Sequence, residues 1–160
     1  MGLRTPTGKI ELYSETIAAI PESYRLDPLP TYRQSLPRKG AAKYPLTLVA
    51  GSRISTRFHS RFHGVKSANL FRPVPAAEIH PDDAAELGIR HGDRIAVSTE
   101  TGTIHVAAHL TKAVKRGTVF MYQSYADAAD VNRIIEWNHL DPYSGFPGYR
   151  TVRCRVEVQA

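Results

Sequence analysis

A short helix with clear start and stop signals, followed at once by alternating strands, constrains this fold more than any other feature of the sequence. The helix lies in residues 78–93, EIHPDDAAELGIRHGD. Pro81 suits the first helical position, where its missing N–H is harmless, and the carboxylates of Asp82 and Asp83 favour the positive end of the helix dipole. Gly88 supplies a left-handed stop, so we predict a helix of about two turns from Pro81 to Gly88. The side chains available for its buried side are Ala84, Ala85 and Leu87.

Alternating apolar and polar residues around this helix predict a mostly β domain. RIAVST (94–99) and TIHVAAHL (103–110) flank a Glu-Thr-Gly turn and predict a hairpin. TVFMYQ (118–123) follows a glycine turn, PLTLVAG (45–51) is an apolar run typical of a buried strand, and residues 149–158 predict a closing strand. Strands, short helices and glycine turns thus alternate through the predicted domain.

The first part of the chain differs from this domain. Its prolines forbid regular structure over most of residues 21–37, after a short extended piece and a helical turn. We therefore predict an extended lead-in arm over residues 1–43 and one domain over residues 44–160. A domain of this length buries enough surface to fold without disulfides or a structural metal.

Composition excludes several classes of site. Cys154 is the single cysteine of the sequence and lies in an alternating run, which predicts a buried strand thiol and leaves no ligands for an iron–sulfur cluster or cysteine-rich zinc site. The histidine pairs 59/63 and 105/109 lack the HExxH pattern, so we predict neither a metal site nor a catalytic residue within the chain. No apolar run reaches the ~18 residues of a membrane span, and the N-terminal residues lack the apolar core of a signal peptide.

Positive charge is concentrated in one segment. The chain carries a formal net charge of +6, yet no acidic residue lies between Asp27 and Glu78. The basic residues of this acid-free window are Arg33, Arg38, Lys39, Lys43, Arg53, Arg57, Arg61, Lys66 and Arg72. Such a field indicates a polyanionic partner, namely a phosphorylated cofactor, a nucleic acid or an acidic protein surface, although a solvated basic face has the same pattern.

Two loops have the composition of binding loops. Gly51, Ser52 and Arg53 follow the first core strand and combine a backbone that allows close approach, a hydroxyl and a guanidinium able to form a fork on phosphate. An exposed basic loop without a ligand is the alternative from composition alone. The polar segment over residues 124–149 is too long for an ordinary connection, which favours a binding function.

Four segments together resemble the C-terminal domain of the dimethyl sulfoxide reductase family of molybdopterin oxidoreductases. They are TGKIELYSE (7–15), YPLTLVAGSR…FHS (44–60), AEIHPDDAAELGIRHGDRIAVSTETGTI (77–104) and VNRIIEWNHLDPYSGFPGYRTVRCRVE (131–157). The resemblance implies a double-psi β-barrel of the aspartate-decarboxylase-like class, with short α-helices, that binds molybdopterin guanine dinucleotide. Molybdenum or tungsten would be held by other domains, so the isolated chain would not be catalytic. The implied partners are the remaining domains of the catalytic subunit and an iron–sulfur electron-transfer subunit.

The resemblance also implies which residues bind the dinucleotide. They are Gly51, Ser52, Arg53, His59, Ser60, Asn132, Tyr149 and Arg150. Three positions depart from the family pattern: Ser52 stands for a glycine, Arg150 for a lysine, and His80 for an asparagine that caps the helix. The alternative function is a free-standing barrel module that binds nucleic acid or an acidic partner, which the scarcity of aromatics near the basic segment disfavours.

Overall fold

The computed structural model describes residues 2–24, 26–32, 42–59, 61–137 and 140–159. By contacts the chain divides into two compact units, one of Met1–Pro37 with Leu140–Phe146 and one of Arg38–His139 with Pro147–Ala160. The division predicted from the sequence, an extended lead-in arm over residues 1–43 and one domain over residues 44–160, stays a prediction.

The second unit is a closed six-stranded barrel. Its strands are β1 (Leu46–Ser52), β2 (Ala76–Ile79), β3 (Arg94–Ser98), β4 (Thr103–Leu110), β5 (Thr118–Tyr122) and β6 (Val152–Val158), in the order β1-β5-β2-β4-β3-β6. The pairs β1–β5 and β2–β4 are parallel and the other four are antiparallel. The predicted double-psi β-barrel with short helices is confirmed.

Alternation along the strands places one face of each strand in the barrel interior. In β6, Val152, Cys154 and Val156 are buried and the arginines between them are not, which confirms the predicted buried thiol. Leu48, Ile79 and their neighbours from the other strands complete one hydrophobic core. The strand β6 begins three residues later than predicted, because residues 149–151 form a turn instead of a ladder.

The helices of the described residues are short. They are α1 (Glu15–Ala18), α2 (Lys66–Asn69) and α3 (Pro81–Glu86), with 3-10 helices at Glu22–Tyr24, Asp127–Ala129 and Val131–Ile134. Within these residues no helix has the length and apolar character needed to cross a membrane.

Helix α3 confirms both predicted end signals. Pro81 opens it, and Gly88 follows it with a φ of +67°. His80 replaces the family asparagine yet still caps the helix, because its Nδ1 accepts a hydrogen bond from the Asp82 N–H at 3.2 Å.

The buried side of α3 differs from the prediction. Ala84 is buried, but Ala85 and Leu87 are exposed and Asp83 takes their place. Asp83 accepts hydrogen bonds from the Gly117 N–H at 2.6 Å and from Arg116 Nε at 3.0 Å. A carboxylate with two donors is a satisfied buried group, so α3 is fixed to the turn before β5 by charge-assisted hydrogen bonds.

The first unit has its own small framework. Ser14 caps α1 by accepting from the Ile17 N–H, and the Asp27 N–H donates to Tyr143 Oη at 2.7 Å. A largely apolar cavity of about 830 Å³ lies among residues that include Leu12, Ile17 and Tyr143. Much apolar surface of this unit is exposed, with 90% of Tyr32 accessible.

Candidate cofactor-binding site

The two predicted binding loops meet where β1 ends. The Ala50 N–H donates to the Tyr149 carbonyl at 2.7 Å. Gly51 follows with a φ of +93°, and a Cβ atom at this position would lie 3.2 Å from the Cβ of Tyr149. Only glycine accepts both this backbone conformation and this close approach without strain. The segments around residues 51 and 149, distant in sequence, are therefore adjacent in the barrel.

Tyr149 connects this junction to Asn132. The Tyr149 hydroxyl donates to Asn132 Oδ1 at 2.6 Å, and Asn132 Nδ2 donates to Asp130 Oδ1 at 2.9 Å. Burial, with a smaller contribution from the charge of Asp130, raises the pKa of Tyr149, so its hydroxyl stays protonated and acts as the donor. The orientation of the Asn132 amide is thus fixed, and one N–H and one oxygen lone pair remain for a ligand.

The 3-10 helix that carries Asn132 is attached to the hairpin of β3 and β4. Val131 and Ile134 are buried, and the Thr99 hydroxyl donates to the Ile134 carbonyl at 2.8 Å. Asp130 caps the 3-10 helix by accepting from the Asn132 N–H. Asn132 therefore projects from a supported segment of the long loop.

The predicted residues after Gly51 form a second group. The Ser52 carbonyl accepts from the Gln123 N–H at 2.9 Å, which extends the pairing of β1 with β5. The Arg53 guanidinium lies 4.6 Å from the centroid of the Phe58 ring, and the His59 ring meets Phe58 edge-on at 4.8 Å. Arg53 and His59 are exposed, so both cationic and imidazole donors are open to a ligand. Ser60 lies outside the described residues.

Arg150 is exposed and directly follows Tyr149. Since consecutive Cα atoms are about 3.8 Å apart, the backbones of Arg53 and Arg150 both start within about 8 Å of the Gly51–Tyr149 contact. That the two guanidinium groups line one groove stays a prediction.

The sequence analysis placed Arg57 in the acid-free basic window but not among the predicted binding residues, and its environment is unusual. Only 6% of Arg57 is exposed. Its Nη2 donates to the Arg72 carbonyl at 2.7 Å, its Nη1 lies 3.5 Å from the Ser124 carbonyl, and its guanidinium stacks 4.8 Å from the centroid of the Tyr125 ring. Its Nε and the Ser124 hydroxyl are buried without a hydrogen-bond partner in the described part of the chain. Burial of an arginine depends on tertiary packing, and no local pattern predicts it.

Backbone strain is concentrated around the same loop. The non-glycine residues with positive φ are His59, Phe62, Arg72, Ser124 and Asp127 among those described. The first three lie between β1 and β2, and the last two lie in the segment that follows β5. Strained residues of this kind persist where the surrounding structure holds them and cluster at ligand sites.

These residues fit an anionic dinucleotide. Arg53 and Arg150 supply exposed charge for phosphate, Asn132 supplies an oriented amide for a heterocycle, and Gly51 allows close backbone approach. By contrast, the described residues contain no group of three or more His, Cys, Asp or Glu side chains able to hold a metal ion. The fold is therefore a closed β-barrel with two loops that meet at residues whose charge and donors suit a dinucleotide.

Comparisons with known proteins give the family. Residues 46–153 match the family model described as "Molydopterin dinucleotide binding domain". This match covers more than half of the chain, so the chain belongs to the molybdopterin dinucleotide binding domain family. The family and the cofactor predicted from the sequence, molybdopterin guanine dinucleotide, are confirmed.

The relatives are much longer proteins. Dopamine dehydroxylase of Eggerthella lenta is 32% identical over 97% of this chain and 17% of its own length. Dimethyl sulfoxide/trimethylamine N-oxide reductase of Rhodobacter capsulatus is 35% identical over 88% of this chain and 17% of its own length. The solved structure of acetylene hydratase from Pelobacter acetylenicus covers 99% of this chain with a TM-score of 0.82 and 28% identity, and the match spans 24% of that protein. The chain thus spans about a sixth to a quarter of the length of these relatives.

Replacing Gly51 tests the junction of the two loops. We expect Gly51→Val to lower the free energy of unfolding by about 2–4 kcal/mol, because a β-branched side chain opposes the positive φ and meets Tyr149. Chemical denaturation measures this change. Gly145→Val is the control, since Gly145 also has a positive φ but no atom within 4 Å of its Cβ position. If both variants lose the same free energy of unfolding, the close approach of Gly51 to Tyr149 makes no separate contribution to stability.

Proposed function

We propose that the chain is the C-terminal cofactor-binding domain of a larger molybdenum or tungsten oxidoreductase and that the loops around residues 51–60 and 131–150 hold the dinucleotide. The binding residues would be Gly51, Ser52, Arg53, His59, Asn132, Tyr149 and Arg150, with Ser60 included from the sequence alone. The observation that carries this assignment is the chain of contacts from Gly51 through Tyr149 to Asn132.

Each part of the site suits a different part of a dinucleotide. The guanidinium groups of Arg53 and Arg150 would donate to the pyrophosphate, since arginine forms charge-assisted forks on such groups. The free N–H and lone pair of Asn132 would pair with the edge of a guanine or pterin ring. When bound, the cofactor supplies the metal-centred redox chemistry, while the residues of this chain bind and orient it.

Remaining domains of the same catalytic polypeptide are the proposed partners, because the chain covers only 17–23% of relatives such as the dehydroxylase and acetylene hydratase. Exposed apolar side chains, including Tyr32 of the first unit and Phe62 and Leu70 of the second, would be covered by those domains. An iron–sulfur electron-transfer subunit is a further proposed partner, as the resemblance implies.

Binding of guanosine diphosphate by the purified chain tests the site. This nucleotide carries the guanine and pyrophosphate of the cofactor and is measured by titration calorimetry. We expect saturable binding that is at least about tenfold tighter than for guanosine, because the pyrophosphate contacts are lost with the latter. Asn132→Ala should weaken binding, as it removes the amide.

A matched control comes from the other end of the barrel. Thr47 pairs with Thr118, so the exposed Lys115 lies near the start of β1, away from Gly51. Lys115→Gln should leave nucleotide affinity within about twofold of the wild type. Absence of saturable binding, or an equal loss in the Lys115 and Asn132 variants, would refute the site.

The hydroxyl of Tyr149 should contribute through Asn132. We expect Tyr149→Phe to weaken guanosine diphosphate binding about threefold to tenfold, because Asn132 loses the 2.6 Å bond that fixes its amide. Tyr24→Phe removes the hydroxyl of an exposed tyrosine in the 3-10 helix Glu22–Tyr24, outside both proposed loops, and is the control. If Tyr149→Phe binds as the wild type does, the amide orientation is set by Asp130 alone.

The isolated chain should show no oxidoreductase turnover. Its proposed function is limited to holding the dinucleotide, and the metal ligand is expected in other domains. Viologen-linked reduction of dimethyl sulfoxide, with metal content measured in parallel, checks this expectation. Turnover by metal-free chain would contradict it.

A further inference from the structure

The charge of Arg57 is buried in the loop after β1, where the described residues provide no matching carboxylate. Two carbonyls accept from its guanidinium or lie next to it, but among the described residues no acidic side chain forms an ion pair with it. An unpaired buried charge is expensive, and arginine cannot escape the cost by losing its proton. A bound anion would supply the opposite charge that the protein does not provide here.

Nearby charges do not neutralise Arg57. Arg72 forms an ion pair with the buried Glu78, with Arg72 Nη2 2.9 Å from Glu78 Oε1, and stacks 5.3 Å from the centroid of the Tyr122 ring. This pair is internally balanced, so Arg57 leaves the group with one net positive charge. The described residues of the same loop add Arg53 and Arg61, both exposed, and no acidic residue.

Arg57 also holds the strained backbone of the site. Its acceptor Arg72 has a φ of +57°, and the neighbouring Ser124 has a φ of +82°. The first lies before β2 and the second directly after β5, which pairs with β1 where the loop begins. One guanidinium therefore joins two segments that flank residues 53–59.

We propose that Arg57 is a buried counter-charge for the pyrophosphate of the dinucleotide, a positioning residue that acts through its field and through the backbone it holds. This inference rests on the proposed function, because the anion is the cofactor assigned to these loops. Arg57 need not touch the ligand: at an effective dielectric constant near 20, a unit charge about 10 Å from another changes affinity roughly tenfold. Burial protects this interaction from salt, whereas exposed charges are screened.

Titration of the chain with guanosine diphosphate at low salt and at about 0.5 M salt tests the proposal. We expect Arg57→Gln to weaken binding about tenfold at both salt concentrations. Arg61→Gln, which removes an exposed charge from the same loop, should weaken binding about twofold at low salt and not at high salt. Arg57→Lys keeps the charge and should bind within about threefold of the wild type.

The variants separate the possible failures. If the wild type does not bind guanosine diphosphate, the proposed function fails and this inference fails with it. If the wild type binds and Arg57→Gln binds equally well, or loses affinity only at low salt, the counter-charge alone is refuted. If Arg57→Gln does not fold, Arg57→Lys decides: a loss of tenfold or more would show that the geometry of the fork, not its charge, matters.

Discussion

The double variant Arg53→Gln/Arg150→Gln is expected to bind guanosine diphosphate at least about a hundredfold more weakly than the wild type. A hydrogen bond to a charged group contributes about 1.5–3 kcal/mol, and about 1.4 kcal/mol corresponds to a tenfold change in affinity. Each single variant should therefore bind guanosine diphosphate about tenfold more weakly than the wild type. Calorimetry on the 160-residue chain gives these values.

The control for this experiment removes the same charge elsewhere. Lys112→Gln/Lys115→Gln lowers the net charge by two in the turn between β4 and β5, at the end of the barrel away from Gly51. A general electrostatic attraction would be weakened equally by both double variants. The assignment also fails if only one of the two arginines affects binding, because a shared pyrophosphate requires both.

Loss of the Arg53 side chain should alter stability far less than binding. Its contact with Phe58 lies at an exposed site, where a cation–π interaction contributes about 0.5–1 kcal/mol. Thermal unfolding of the ligand-free variants separates this small change from the loss of affinity.

Alkylation of Cys154 in the folded chain should be about a thousandfold slower at pH 8 than alkylation of an ordinary thiol. Burial raises the pKa of Cys154 from 9.0 to about 12, opposed only weakly by the charge of Arg153. Because the thiolate is the nucleophile, a rise of three units in the pKa lowers the reactive fraction about a thousandfold. Labelling with iodoacetamide, followed by mass spectrometry in native buffer and in denaturant, measures the ratio of rates.

The same shift makes stability depend on pH in the alkaline range. The folded state favours the protonated thiol, so this contribution to stability is complete below the unfolded pKa near 9.0 and is lost as pH rises toward 12. Cys154→Val is the matched variant, since it keeps an apolar side chain and removes the titrating group. Equal labelling rates with and without denaturant, or an unchanged alkaline profile in Cys154→Val, would contradict the burial of the thiol.

Local signals predicted the parts of the fold that depend on local chemistry. Pro81 and Gly88 define helix α3 because caps act within one turn, and the hairpin of β3 and β4 follows from alternation around a glycine turn. Strand β2 was not predicted, because its four residues contain Glu78, whose burial depends on Arg72. The burial of Asp83 was missed for the same reason: its partner, the Gly117 N–H, is distant in sequence.

In the candidate site, too, some residues were predicted from the sequence and others were found only in the three-dimensional structure. Gly51, Asn132 and Tyr149 were predicted from family resemblance, and the structure places Tyr149 next to Gly51 and in a hydrogen bond with Asn132. Arg57 was left outside the predicted site, since a guanidinium that packs against Tyr125 has no signature in the sequence. Arginines are usually exposed, so only the three-dimensional structure distinguishes this one from Arg61.

The contact between Gly51 and Tyr149 has a kinetic consequence. These residues are separated by most of the domain, and Tyr149 is held by β6, which closes the barrel between β1 and β3. Contacts of such long sequence separation form slowly, because the entropy of closing the intervening loop is lost before they are made. In a chain whose β6 has not docked, Tyr149 does not lie beside Gly51, so the proposed dinucleotide site would be incomplete. Capture of a dinucleotide by that site would then require a closed barrel, and the bound ligand would stabilise the docked strand.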